Sequence, residues 1–179
     1  MTTETERYLA NRQLLIDSHA YNPADERDAC GVGLVAAIDG KPRREVVAMA
    51  IKALKAVWHR GAVDADGKTG DGAGIRVDVP QGFFREQVAR TGHAAPDGPI
   101  CVGMVFLPRT DFGAQETART IVEGELLRFG FGILGWRQVP VDVSVIGEKA
   151  NATRPEIEQI LFHDPRHRSA DDLERALYI

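Results

Sequence analysis

From Cys30 onward, short apolar runs alternate irregularly with stretches of helical spacing, and this mixture constrains the fold more than any other feature of the chain. Gly31 to Ile38 is an apolar run after a glycine and reads as a buried strand. Val46, Val47, Ala50, Ile51, Leu54 and Val57 recur at helical spacing and predict an amphipathic helix from about Arg43 to Trp58. Ile75, Val77 and Val79 alternate with Arg76 and Asp78, the pattern of a half-buried strand, which Pro80 ends. Phe83, Phe84 and Val88 suggest a short helix after it. Ile100 to Leu107 is apolar almost throughout, a second buried strand closed by Pro108. Ala118, Ile121, Val122, Leu126 and Phe129 give a helix face over Ala114 to Phe129. Ile133 to Val139 and Val141 to Ile146 read as strands. Thr153 is placed as an N-cap with Glu156 three residues on and Pro155 in the first turn, which predicts another helix start. Strict β-α alternation is absent, so the pattern favours α+β with antiparallel sheet and helices packed outside.

A chain of 179 residues is one domain, or part of a larger one, and can bury a core without staples. The net charge is −4 with cations spread among acids, so no basic face invites nucleic acid. Two cysteines, Cys30 and Cys101, are too few for a zinc cage or an iron–sulfur cluster, and two reduced thiols are expected. No apolar run is long enough to span a bilayer, so no membrane partner is expected. Glu4, Glu6 and Asp17 interrupt the N-terminal segment and argue against signal and transit peptides, leaving a cytoplasmic location. Residues 1–29 are polar apart from Leu14-Leu15-Ile16 and carry the turn signal Tyr21-Asn22-Pro23, as in a frayed tail or a removable leader. Leu177-Tyr178-Ile179 has no terminating signal, so the chain is expected to stop within an element.

Asp28-Ala29-Cys30-Gly31-Val32-Gly33 offers one cysteine two chemical states. Inside a chain, a thiol has a pKa of about 8.5. If the chain is cut between Ala29 and Cys30, a free α-amine of pKa about 7.7–8.0 stands beside the sulfur and can take its proton. The tetrapeptide alone fits an inert core cysteine as well. Trp58-His59-Arg60-Gly61-Ala62 closes the first helix. Arg60 could bind a substrate carboxylate through its planar fork, or complement the helix C-terminus with Gly61 as its C′ glycine; local pattern favours the second. His59 reads as a helix-end histidine rather than a general base. Asp64, Asp66 and Asp71 lack calcium-loop spacing, and Gly70, Gly72 and Gly74 are not placed as a phosphate-cradling turn. What remains is a glycine-rich loop over 60–74 with the composition of a lid for a small polar substrate. Trp136 of Gly135-Trp136-Arg137 reads as core more readily than as a pocket wall, and Cys101 as a structural cysteine.

Five runs carry a resemblance: Ala29-Cys30-Gly31-Val32-Gly33, Trp58-His59-Arg60-Gly61-Ala62, Thr69-Gly70-Asp71-Gly72-Ala73-Gly74-Ile75, Gly135-Trp136-Arg137-Gln138-Val139-Pro140, and Gly147-Glu148-Lys149-Ala150 followed by Arg154-Pro155. In order and separation they resemble the start of the glutamate synthase large-subunit family, the class II glutamine amidotransferase domain, from Tyr21 to the end. The resemblance implies an N-terminal-nucleophile fold, an αββα sandwich with antiparallel sheets that is incomplete in this chain. It implies residues 1–29 as a propeptide and 30–179 as the N-terminal part of the amidotransferase domain. It implies Cys30 as the nucleophile that hydrolyses L-glutamine, and Arg60, Gly61 and the loop to Lys68 as the segment that closes over it. Ammonia would pass to a distant site that aminates 2-oxoglutarate to glutamate. No cofactor is expected in this portion; FMN, FAD, iron–sulfur clusters and NADPH are implied for the whole enzyme, with the rest of the large subunit and a small NADPH-oxidising β subunit as partners. The family's oxyanion hole uses an Asn-Gly pair, and Asn11, Asn22 and Asn151 here precede Arg, Pro and Ala. The family's aspartate for the substrate amine and its main carboxylate-binding arginine would lie downstream. The isolated chain is therefore expected to hydrolyse glutamine poorly. The competing expectation is a non-catalytic amidotransferase-like domain with an assembly or regulatory role.

Overall fold

A computed structural model describes residues 4–17, 31–58 and 61–178. The chain divides into two compact units, Met1–Val32 and Gly33–Ile179. The first carries helix α1 (Glu4–Asp17), on which the Gln13 amide donates to Asp17 one turn later.

The second unit is built on a three-stranded antiparallel sheet, β1 (Ile100–Leu107), β2 (Gly132–Gln138) and β3 (Glu156–His163), in the order β1-β3-β2. The last strand in the sequence is thus the middle one, pairing Ile100 with His163 on one side and Gly132 with the same residue on the other. Period-two alternation on β3 divides the core between the two sheet faces. Leu161 faces Ile100, Leu134 and the buried Phe84 and Val88 of α3 (Gln81–Arg90). Ile160 and Phe162 face the other way, with Phe131, Val122 and Leu126 of α4 (Phe112–Arg128) and Leu173 and Ala176 of α6 (Ala170–Tyr178). One β2 residue more than on β3 is accommodated between Ile133 and Gly135, where Gly135 takes φ +129°. Only glycine enters that region without strain, and the bulge returns Ile133 and Trp136 to one face.

Polar ties hold the helices on the sheet. The Gln81 amide donates to the Ile100 carbonyl and accepts from its N–H, at 2.9 and 2.8 Å. Arg119 on α4 forks onto Glu158 of β3 at 2.8 and 2.6 Å, the bidentate geometry that suits a largely buried pair. Asp111 caps α4 by accepting from Ala114 N–H. Ser169 accepts from Asp172 N–H at the head of α6, while its hydroxyl donates to the Asp172 carboxylate.

The expected helix from Arg43 to Trp58 is α2 (Arg44–Ala56), and the helices after Pro80 and from Ala114 are α3 and α4. The strands at 100–107 and 133–139 are β1 and β2. Four expectations are corrected. Gly31 to Ile38 and Ile75 to Val79 form no strand and pair with no neighbour among the described residues, Ile38 already lies in a turn, and Leu34, Ile38, Ile75 and Val77 are exposed. A strand is defined by its ladder, so an apolar run or alternation without a partner does not make one. Val141 to Ile146 is turned instead into a 3₁₀ segment, Val143–Val145, because Asp142 accepts from both the N–H and the hydroxyl of Ser144. Thr153 ends α5 (Glu148–Thr153) rather than starting a helix; Arg154, ahead of Pro155, is extended, and Glu156 opens β3. The mixed α+β class with antiparallel sheet holds.

Candidate functional site

Ala29, Cys30, His59 and Arg60 lie outside the described residues. The site is therefore approached from Gly61, whose N–H donates to the Trp58 carbonyl at 3.1 Å, and from the loop that follows it.

That loop is a small hairpin, not an open coil. Val63 and Gly70 form an antiparallel bridge, Asp64 N–H donates to the Thr69 carbonyl at 2.7 Å, and Gly67 N–H to the Asp64 carbonyl at 2.9 Å. Ala62 N–H donates to the Asp71 carboxylate at 2.7 Å and closes the base. At the tip, Gly67 takes φ +70°, which a side chain would resist. Asp66 accepts from the N–H groups of Lys68 and Thr69 at 2.9 and 2.7 Å and from the Thr69 hydroxyl. The Thr69 hydroxyl, aided by those backbone donors, holds the Asp66 carboxyl far below the usual carboxylate range. Asp66 and Asp71 thus spend their carboxylate oxygens on the hairpin itself. Among the described residues no group of three or more His, Cys, Asp or Glu could hold a metal ion.

The hairpin rests on the start of α5. Lys149 Nζ donates to both Asp64 carboxylate oxygens at 2.8 Å. Ala150 N–H reaches the Thr69 hydroxyl oxygen at 3.4 Å. Gly147 is buried, and a Cβ on it would lie 2.5 Å from the Thr69 backbone nitrogen. Beneath, an open groove of about 840 Å³ is lined by Thr69, Gly70, Val141, Lys149, Arg154 and Ile157, among others. Composition marks the hairpin as a loop. Its seat is not legible from local pattern; the signal is that Gly147-Glu148-Lys149-Ala150 and Thr69-Gly70-Asp71 both belong to the runs that carry the resemblance.

Elsewhere the residues singled out are structural. Cys101 is a free, half-buried thiol on β1, and burial, with the charges of Asp164 and Glu174, pushes it above the ordinary thiol range. A thiol so placed is a poor nucleophile. Trp136 packs on the Ile160–Phe162 side of the sheet, its indole N–H donating to Glu123 at 2.6 Å, and Arg137 donates to Gln159.

No helix among the described residues is long and apolar enough to cross a membrane. Residues 30–179 match the family of class-II glutamine amidotransferases. Over its whole length the chain aligns at 60% identity with 12% of the NADPH glutamate synthase large chain of Azospirillum brasilense. A ferredoxin-dependent glutamate synthase of Synechocystis sp. is 43% identical over 87% of the chain and 10% of its own length. One of Arabidopsis thaliana, chloroplastic or mitochondrial, is 41% identical over 86% of the chain, again 10% of its own length. The chain spans about a tenth of the length of these relatives. With the match beginning at Cys30 and running through the hairpin and its seat to residue 179, the chain belongs to the class-II glutamine amidotransferases.

Proposed function

We propose that this chain is the glutamine-hydrolysing portion of a glutamate synthase, with Cys30 as nucleophile and residues 1–29 as a propeptide removed after Ala29. The observation that carries the reading is the family match, whose first residue is the cysteine itself. The identity to the Azospirillum large chain, higher than to the two ferredoxin-dependent enzymes above, supports the NADPH-type assignment.

Cleavage leaves Cys30 with an α-amine next to its thiol. The amine, through a water, takes the thiol proton as Sγ adds to the side-chain carbonyl carbon of glutamine. The proton is passed to the amide nitrogen, the C–N bond breaks, and ammonia leaves a γ-glutamyl thioester. Water then adds to the thioester, giving one proton to the amine; the C–S bond breaks, and glutamate and the thiol are restored. Arg60, Gly61 and the loop to Lys68 close over the bound glutamine, and a planar guanidinium is the kind of group that can hold a substrate carboxylate. Residues 30–179 form part of an αββα sandwich. Ammonia is consumed elsewhere in the whole protein, where 2-oxoglutarate is aminated to a second glutamate. FMN, FAD, iron–sulfur clusters, NADPH and a small β subunit belong to that remainder; the half-buried, unpaired Cys101 offers no thiolate set for a cluster here. The assembled enzyme works in the cytoplasm.

The test is the full-length protein. Its mature N-terminus is expected at Cys30, labelled by the glutamine analogue diazo-oxo-norleucine, and Cys30→Ala is expected to lower ammonia release by at least about a thousandfold. Retention of Met1 through Ala29 in the native full-length protein refutes the reading and points to an assembly or regulatory role, whereas undiminished ammonia release by Cys30→Ala refutes Cys30 as the nucleophile.

A further inference from the structure

We propose that β1 is an inner strand of the whole protein, its outer edge paired by the strand that follows α6 in the full-length chain and runs parallel to β3. This pairing rests on the reading above, in which these residues are one portion of a longer enzyme; the chain spans about a tenth of the length of its relatives.

Strands β1 and β2 are each antiparallel to β3, so they run parallel to one another with β3 between them. β1, α4 and β2 therefore form a split β-α-β unit, and β3 with α6 begins a second one. Both helices lie on one face of the sheet. Val122 and Leu126 of α4 and Leu173 and Ala176 of α6 join Ile160 and Phe162 of β3, and Cys101 and Val105 of β1 share that cluster. Crossovers between parallel strands are right-handed in about 98% of cases. Since β3 runs opposite to β1 and the helices share a face, the second crossover keeps that hand only by stepping over β1. A step over β2 reverses it.

The two edges differ in the same sense. Among the described residues β1 pairs only with β3. Its sequence, Ile100 to Leu107, carries no charge and no proline, and its register with β3 is unbroken. Met104 and Phe106 are 49% and 64% exposed. Native sheets blunt or cover such an edge, and nothing within β1 blunts it. β2, by contrast, is interrupted by the bulge between Ile133 and Gly135 and carries Arg137, both devices of a true edge.

The experiment uses the full-length protein. Amide hydrogen exchange is followed at residues 101–106, and Phe106, exposed and so tolerant of change, is replaced by benzoylphenylalanine for photocross-linking with peptide mapping. On an open antiparallel edge every second N–H points to solvent, whereas on an inner strand all of them are bonded. Slow exchange at all these amides, within about tenfold of one another, is expected. The cross-link is expected in a peptide within about 30 residues after α6, the span of a β-α-β unit. Alternate amides that exchange about a hundredfold faster than their neighbours overturn the proposal. So does a cross-link only to β1 of a second copy or only to a more distant segment, or no cross-link at all. Neither readout uses glutamine. A full-length protein that releases no ammonia therefore refutes the functional reading alone, and the cross-link still decides the pairing.

Discussion

Asp164 is buried in the turn after β3, accepting from Arg166 N–H at 3.1 Å and Arg168 N–H at 3.0 Å, with the Arg168 guanidinium 3.2 Å away. Burial opposes its charge, yet the two N–H donors and the charges of Arg168 and Arg166 win, and its carboxyl lies below the usual range. The sign follows from linkage. A carboxyl whose folded pKa is depressed adds stability above its unfolded value, about 3.9, and loses it as pH falls through the folded value. Asp164→Asn is therefore expected to lower the urea midpoint at pH 7, and the gap to wild type is expected to narrow below about pH 4. An undiminished gap at pH 2–3 would assign the loss to packing rather than charge. As candidates, Cys30 and Arg60 are legible in the sequence: local pattern offers a thiol in Ala29-Cys30-Gly31 and a guanidinium ahead of Gly61, and the resemblance supplies the roles proposed for them. The Lys149–Asp64 pair is not, since 85 positions separate its members and only the fold joins them.

At the level of elements, β3 shows where local pattern misleads. Thr153-Arg154-Pro155-Glu156 has the residues of a capping box, but the Ser cap forms at the head of α6, where Ser169 accepts from Asp172 N–H. What decides the first case is tertiary: Ile157, Ile160, Leu161 and Phe162 are β-branched or bulky, and strands stand ready on both sides of them. The reverse holds for Gly31 to Ile38 and Ile75 to Val79, where the apolar run and the alternation are legible but ladder partners are not a property of the segment. Helices α2, α3 and α4 were readable because their hydrogen bonds are internal. Ile160, 2% exposed on the central strand, is the sharpest probe of this arrangement. Ile160→Ala is expected to cost about 2–5 kcal/mol by chemical denaturation. A loss under about 1 kcal/mol would mean that the Phe131–Phe162 side of the sheet collapses around the gap.

For the molecule as a whole, the α+β class and the family were legible from the patterning and from runs spread along the chain, while the strand order was not. The chain contains no Asn-Gly pair for an oxyanion hole. One lost oxyanion donor typically costs about 10²–10³ in turnover. The 179 residues alone are therefore expected to release ammonia at least about a hundredfold more slowly than the full-length protein in a coupled glutaminase assay. Equal rates would show that these residues supply the oxyanion donors themselves.

Because the central strand of these three follows both its partners in sequence, a ribosome emitting this chain exposes β1 and β2 well before either finds its ladder: residue 100 waits for residue 163. Both strands spend that interval as open edges that could pair with a neighbouring nascent chain. Slowing elongation between Gln138 and Glu156 is thus a way to raise inclusion-body yield without altering one contact of the finished protein.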